Sequence, residues 1–151
     1  MTSPAINCLI VDDLQENILS LEALLRMDGV TILKASSGEE ALEILLLHDV
    51  ALAFLDVQMP DMDGFELAEL MRKREKTRNI PIIFVTAGHE DRQRRFQGYQ
   101  AGAVDFIQKP IEPDILKSKA TIFFELYRQK ILLQQQRDEL KVYSEENIKL
   151  L

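Results

Sequence analysis

The 151-residue sequence has no tryptophan, one cysteine and two histidines. A single thiol excludes an intrachain disulfide. Cys8 stands in the apolar run INCLIV, where a buried structural thiol is expected rather than a reactive one. His48 falls at the end of a predicted helix and reads as a C-cap or surface residue. His89 follows VTAG in a loop and is not expected to be catalytic. Positive charge is also short: 18 Lys and Arg stand against 25 Asp and Glu, a net charge of −7. Such a chain binds nucleic acid and anionic membrane poorly, whereas its acidic groups suit a cation. Long apolar runs are missing. ALAFL and ILLL fall far below the ~20 residues of a membrane span. The opening MTSPAINCLIVDD has no basic region, so no signal peptide is expected and the assignment is cytoplasmic. What is abundant is apolar and charged surface together, 46% and 28%, which excludes a disordered chain and fits one packed domain.

Two periodicities alternate along the chain. Short β-branched runs at 6–11, 30–35, 50–55, 81–85 and 104–107 read as buried parallel strands. Between them lie helical patterns. Ile18, Leu21, Leu24 and Leu25 mark one over 17–27, closed by Asp28-Gly29. Others run from Ser37 to Leu47, over 65–74 and over 91–101, and a last helix starts near Pro113-Asp114. Five strand–helix units imply an α/β fold with helices on both faces of a parallel sheet. Right-handed crossovers then bring the carboxyl end of every strand to one edge.

The polar residues at those ends form a set. Asp12 and Asp13 follow strand 1, Asp56 strand 3, Thr86 strand 4, and Lys109-Pro110 strand 5. Singly each has a plainer reading: a helix cap for Asp12 and Asp13, a loop acid before Pro60 for Asp56, a turn cap for Thr86, a surface lysine for Lys109. Jointly they describe a site. Three converging carboxylates repel one another, and a hard cation such as Mg²⁺ offsets that repulsion while leaving room for water and phosphate oxygens. A lysine brings a compact positive charge for a phosphoryl group, and a threonine hydroxyl donates to another of its oxygens.

VDD at 11–13, LDVQMPDMDG at 55–64, VTAG at 85–88 and KPI at 109–111 resemble the receiver domain of two-component response regulators over about residues 5–128. The resemblance implies a flavodoxin-like, doubly wound five-stranded parallel sheet of order 2-1-3-4-5. It implies that Asp56 takes a phosphoryl group from the phosphohistidine of a histidine kinase or histidine phosphotransfer protein. Asp13, Asp56 and the backbone carbonyl of Gln58 would ligate Mg²⁺, with Asp12 acting through water. Lys109 would pair with the phosphoryl group. Thr86 and Phe106 would be the switch pair, signalling through the fourth helix, fifth strand and fifth helix. The Lys109-Pro110 bond is cis in the family. Gln58 and Gly88 occupy positions that tune hydrolysis, and Ala87 leaves room beside Thr86. Gly64 and Gly102 read as a loop reversal and a helix end.

No Gly or Pro interrupts 114–150, a stretch that as helix would reach ~55 Å. Past Arg128, Lys130, Arg137, Lys141 and Lys149 balance Asp138, Glu139, Glu145 and Glu146, so the charge of −7 lies in residues 1–128. The division is a receiver over 1–128 and a helical or coiled-coil extension over 129–151. Leu126, Leu133, Leu140 and Asn147 fall at one seam position, and Ile122, Gln129, Gln136, Tyr143 and Leu150 at the other. A homodimer through this helix is expected. The plainer reading is an exposed helix that frays after about Gln134. Arg72, Lys73, Arg74, Lys76 and Arg78 read as a solvated helix end, and Arg92, Arg94 and Arg95 as a candidate contact patch. Neither a nucleic-acid nor a membrane partner is expected.

The expected function is therefore a phosphorylation-driven switch in a phosphorelay rather than an enzyme on an external substrate. The alternatives are a receiver fragment of a hybrid kinase, cyclase or phosphatase, and an aspartyl-nucleophile phosphatase. The last usually needs a second acid two residues after its nucleophile, where Gln58 stands.

Overall fold

The computed structural model describes residues 5–87, 100, 102–103 and 105–150, with side chains to Ile148. Five parallel strands, β1 (Ile6–Val11), β2 (Val30–Ala35), β3 (Leu52–Asp56), β4 (Ile82–Thr86) and β5 (Asp105–Gln108), form one sheet in the order β2-β1-β3-β4-β5. The helices are α1 (Gln15–Leu25), α2 (Gly38–Leu47), α3 (Gly64–Lys73) and a C-terminal helix, Pro113–Leu150. The expected helix over 91–101, with His89, Arg92, Arg94 and Arg95, lies outside the described residues, as do Gly88 and Val104.

Period-two alternation along the strands sorts the core into two layers. Leu9, Val11, Ala53, Leu55, Ile82 and Phe84 face α2 and α3, where they meet Ala41, Leu45, Phe65, Ala68 and Met71. Ile6, Cys8, Ile10, Leu52, Phe54, Ile83 and Val85 face α1 and the C-terminal helix. Phe54, Phe84 and Phe124 are among the largest fully buried side chains, each contributing about 2–3 kcal/mol of apolar burial. Cys8 is wholly buried, which pushes its thiol far above the ordinary range, as an inert core residue requires.

The strand boundaries differ from the pattern reading at the functional edge. β3 and β4 run on to include Asp56 and Thr86, because both residues still pair across the sheet, Asp56 with Val85 and Thr86 with Gln108. α1 begins at Gln15 and ends at Leu25, ahead of the Asp28-Gly29 stop; Gly29 instead makes the following turn at φ +80. α2 starts where expected, with Ser37 capping it by accepting from the Glu40 N–H. His48 is its C-cap.

Two glycines act otherwise than by reversal alone. Gly64 has no positive φ; the reversal before it falls on Asp61, at φ 68. Gly64 is small because a Cβ there would sit 2.3 Å from the Asp56 carbonyl oxygen. Gly102 does take positive φ, +90, and its missing Cβ leaves space for the Arg72 side chain.

The C-terminal helix is continuous through Leu150 rather than frayed after Gln134, in keeping with a Leu-, Gln-, Glu- and Lys-rich stretch free of Gly and Pro. Leu116, Ala120 and Phe124 pack on the sheet. From Leu132 to Ile148 every residue is exposed. No helix among the described residues is long and apolar enough to cross a membrane.

Candidate functional site

Parallel strand order delivers five side chains to one edge. Beyond β1, the Asp12 N–H donates to the Ala35 carbonyl, which fixes the residue against β2. Its Oδ1 accepts from the Leu14 N–H at 2.9 Å, an Asx turn leading into α1. Asp12 therefore does not cap α1, whose N-cap is Leu14 without a side-chain cap bond; its Oδ1 instead shapes the turn ahead of the helix. The other, Oδ2, faces Lys109 Nζ at 3.7 Å and has no hydrogen-bond partner although Asp12 is 1% exposed. Asp13, less buried, and Asp56, at the end of β3, complete a trio whose carboxylate oxygens lie within 4.8 Å of one another.

At that spacing the neighbouring acids raise the proton affinity of Asp56. The Asp56 carboxyl is pushed up to about 6, first by burial and then by Asp12 and Asp13, against the pull of Lys109 and the Gln58 N–H. An unpartnered buried oxygen on Asp12 and a carboxylate held above its usual range both favour a positive charge beside the trio. The donor set is all oxygen. These residues therefore fit a hard divalent ion.

On the far side of the trio the Lys109 N–H donates to the Thr86 carbonyl at 2.8 Å, joining the ends of β4 and β5. The Lys109-Pro110 bond is cis. Thr86 is 1% exposed, and its Oγ1 has no hydrogen-bond partner. A buried hydroxyl without a partner costs about 1–3 kcal/mol, so its retention asks for a function. Phe106 is half-buried on β5 and tilts against Phe84, with ring centroids 5.5 Å apart; Phe84 in turn meets Phe65 edge-on at 4.8 Å. Gln58 is exposed, two residues beyond Asp56, and Ala87 is exposed beside Thr86.

The structure thus brings Asp12, Asp13, Asp56 and Lys109 together, with Thr86 bonded to the Lys109 backbone. The pattern reading erred on the basic run after α3. Arg72 is not a solvated helix-end residue. Its Nη1 donates to the carbonyls of Arg78 and Ile80, and its Nη2 to that of Gly102. Lys76 Nζ donates to the Leu46 carbonyl in the last turn of α2. No periodicity signals such side-chain-to-carbonyl bonds, since their partners lie up to 30 residues away.

A doubly wound sheet with an acidic trio, a threonine and a lysine at its carboxyl edge defines a receiver-type module. The chain belongs to the response regulator receiver domain family, whose sequence profile matches residues 8–121. It is 36% identical over 133 residues to a probable cyclic di-GMP phosphodiesterase of Vibrio cholerae, covering 88% of this chain and 30% of that protein. It is 37% identical over 108 residues to the response regulator PleD of Caulobacter vibrioides, covering 72% of this chain and 24% of that one. The chain thus spans about a quarter to a third of these two relatives. Among solved structures it resembles the Vibrio cholerae chemotaxis protein CheY4, with a TM-score of 0.74 at 25% identity over 80% of this chain and 99% of that chain. It also resembles a response regulator described as putative from Chloroflexus aurantiacus, with a TM-score of 0.71 at 33% identity over 80% and 98%.

Proposed function

We propose that Asp56 is the phosphoacceptor of a phosphorelay. One Asp56 carboxylate oxygen attacks the phosphorus of a phosphohistidine on a histidine kinase or histidine phosphotransfer protein. The new O–P bond forms as the N–P bond breaks, and the departing electron pair stays on the imidazole nitrogen. The product is an acyl phosphate. The observation that carries this reading is the acidic trio with its orphaned Asp12 oxygen beside Lys109.

Asp13, Asp56 and the Gln58 carbonyl would hold Mg²⁺, with Asp12 reaching it through water; bound there, the ion neutralises the carboxylates and the incoming phosphoryl oxygens. Lys109 offers a second positive charge to the phosphoryl group. Thr86 Oγ1 has a free proton to donate to a phosphoryl oxygen, which gives its unpartnered hydroxyl a purpose. Movement of Thr86 would then be followed by Phe106 on the next strand. The chain would act on no external substrate and catalyse only its own phosphorylation and dephosphorylation. Gln58 stands where an aspartyl phosphatase usually carries its second acid, which favours the switch over the hydrolase.

The receiver occupies 1–128, and 129–151 extends its last helix. Ile122, Leu126, Leu133 and Leu140 are each more than half exposed and recur at heptad-compatible spacing, which supports a parallel homodimer through this helix. The relative described as a probable cyclic di-GMP phosphodiesterase supports coupling of this switch to an enzymatic output module. A cytoplasmic site suits a histidine kinase partner.

Incubation with acetyl phosphate or phosphoramidate and Mg²⁺ should add one phosphate by intact mass, acid-stable and base-labile. Omission of Mg²⁺ or the Asp56→Asn change should abolish it. Equal labelling of Asp56→Asn refutes the assignment.

A further inference from the structure

α3 touches the functional machinery at both ends. Its first residue, Gly64, lies so close to Asp56 that a Cβ would stand 2.3 Å from the Asp56 carbonyl oxygen. The Gly64 N–H donates to the Val57 carbonyl, the next link of the same loop. Eight residues on, about 12 Å along the helix axis, the guanidinium of Arg72 ties the end of α3 to two further backbone segments. It binds the carbonyls of Arg78 and Ile80, just ahead of β4, at 2.7 and 2.8 Å. It also binds the carbonyl of Gly102, just ahead of β5, at 2.6 Å. The contact with Gly102 is a face as well as a bond, because a Cβ there would meet Arg72 Nε at 2.4 Å. Near its start α3 contributes Phe65, which reaches Phe106 through Phe84. One rigid helix is therefore seated on the phosphoacceptor loop and fastened to the strand of Phe106 at two levels.

We propose that α3 is a strap coupling Asp56 to β5, and that Arg72 is the positioning residue that anchors its far end. The inference rests on the reading of Asp56 as phosphoacceptor. A change of the Asp56 loop moves the start of α3. With the Arg72 clasp intact, the end of the helix and the entry to β5 move or hold together, so the displacement reaches Phe106. With the clasp cut, it is dissipated in the turn at Gly102. The device needs a fork rather than a charge, because a planar guanidinium presents donors in several fixed directions whereas an ammonium is a single point. This route is separate from the one through Thr86, which runs along the ends of β4 and β5.

The test compares the full chain with Arg72→Ala and Arg72→Lys by backbone amide NMR, before and after addition of beryllium fluoride with Mg²⁺ as a phosphoryl mimic. In all three the Thr86 amide should shift as in the wild type, which reports occupancy of the site. The Phe106 amide shift should fall at least twofold in both variants. Arg72→Lys keeps the stem and the charge, so it serves where Arg72→Ala is too unstable to study. Tens of millimolar guanidinium should restore the Phe106 shift in Arg72→Ala. An unchanged ratio of Phe106 to Thr86 shifts overturns the proposal, and so does full function in Arg72→Lys. Parallel loss at both positions also overturns it, because that is general loosening. If the mimic shifts neither amide in the wild type, the phosphoacceptor reading fails, and this inference fails with it.

Discussion

Replacing Asp56 by Asn should stabilise the ion-free protein, and should do so only at pH values above the ordinary carboxyl range. In the folded chain burial, Asp12 and Asp13 push its carboxyl from 3.8 to about 6. Between those values the folded state holds a proton that the unfolded state has released, so the folded state binds more protons and stability falls as pH rises through the window. A shift of about 2 units corresponds to about 3 kcal/mol, and solvent screening at a site open on one side reduces this to about 1–2 kcal/mol. Asn keeps the shape and never ionises, so the variant escapes that loss. For a domain of this size the gain is roughly 3–6 °C in Tm at neutral pH. It should shrink nearly to nothing near pH 3, below both values, where the wild-type carboxyl is mostly protonated in both states. Thermal melting by far-ultraviolet circular dichroism, in EDTA at the two pH values, measures it. Millimolar Mg²⁺ should raise the wild-type Tm by binding the folded state and leave Asp56→Asn nearly unmoved. A variant that melts below the wild type at neutral pH in EDTA, or a shift independent of pH, would refute the reasoning.

Thr86→Val removes an unpartnered buried hydroxyl and keeps the side-chain volume, so chemical denaturation should show a gain of about 1 kcal/mol while the phosphorylation-dependent amide shift at Phe106 falls to the part carried through α3. Gly64→Ala drives a methyl group into the Asp56 carbonyl and should cost about 2–4 kcal/mol by the same measurement, with Mg²⁺ affinity by calorimetry falling as the loop shifts. Sedimentation should find the full chain dimeric at tens of micromolar and a truncation after Arg128 monomeric; two monomers, phosphorylated or not, would remove the helix as a dimerisation element.

The fold was legible because two periods rarely mix. Leu9, Val11, Leu55 and Phe84 alternate with Cys8, Ile10, Phe54 and Val85, and a strand buried on both faces has little choice but to be apolar throughout. Once five such runs alternate with helices, handedness sends every strand end to one edge, and the site follows from what stands there. The ends themselves were less legible. Asp56 and Thr86 are polar, and a hydrophobic pattern stops before them. The ladder does not, since Asp56 pairs with Val85 and Thr86 with Gln108. Backbone pairing, which carries no side-chain signature, decides the boundary.

Arg72 shows where sequence reading stops for a physical reason. Five basic residues in seven positions look like a solvated surface because charge alone predicts solvation. Carbonyl acceptors leave no mark in the sequence, and those of Arg78, Ile80 and Gly102 come into range only after the chain has folded. Asp12 makes the complementary point. It is not a cap of α1, whose N-cap is Leu14, and its two oxygens serve different ends. Oδ1 is spent on the Leu14 N–H, which fixes the side chain, and that fixed geometry holds Oδ2 without a hydrogen bond 3.7 Å from Lys109. The local role therefore shapes the cluster: without the Asx turn, Asp12 would be free to rotate towards solvent and relieve the repulsion among the three carboxylates that makes them fit a cation.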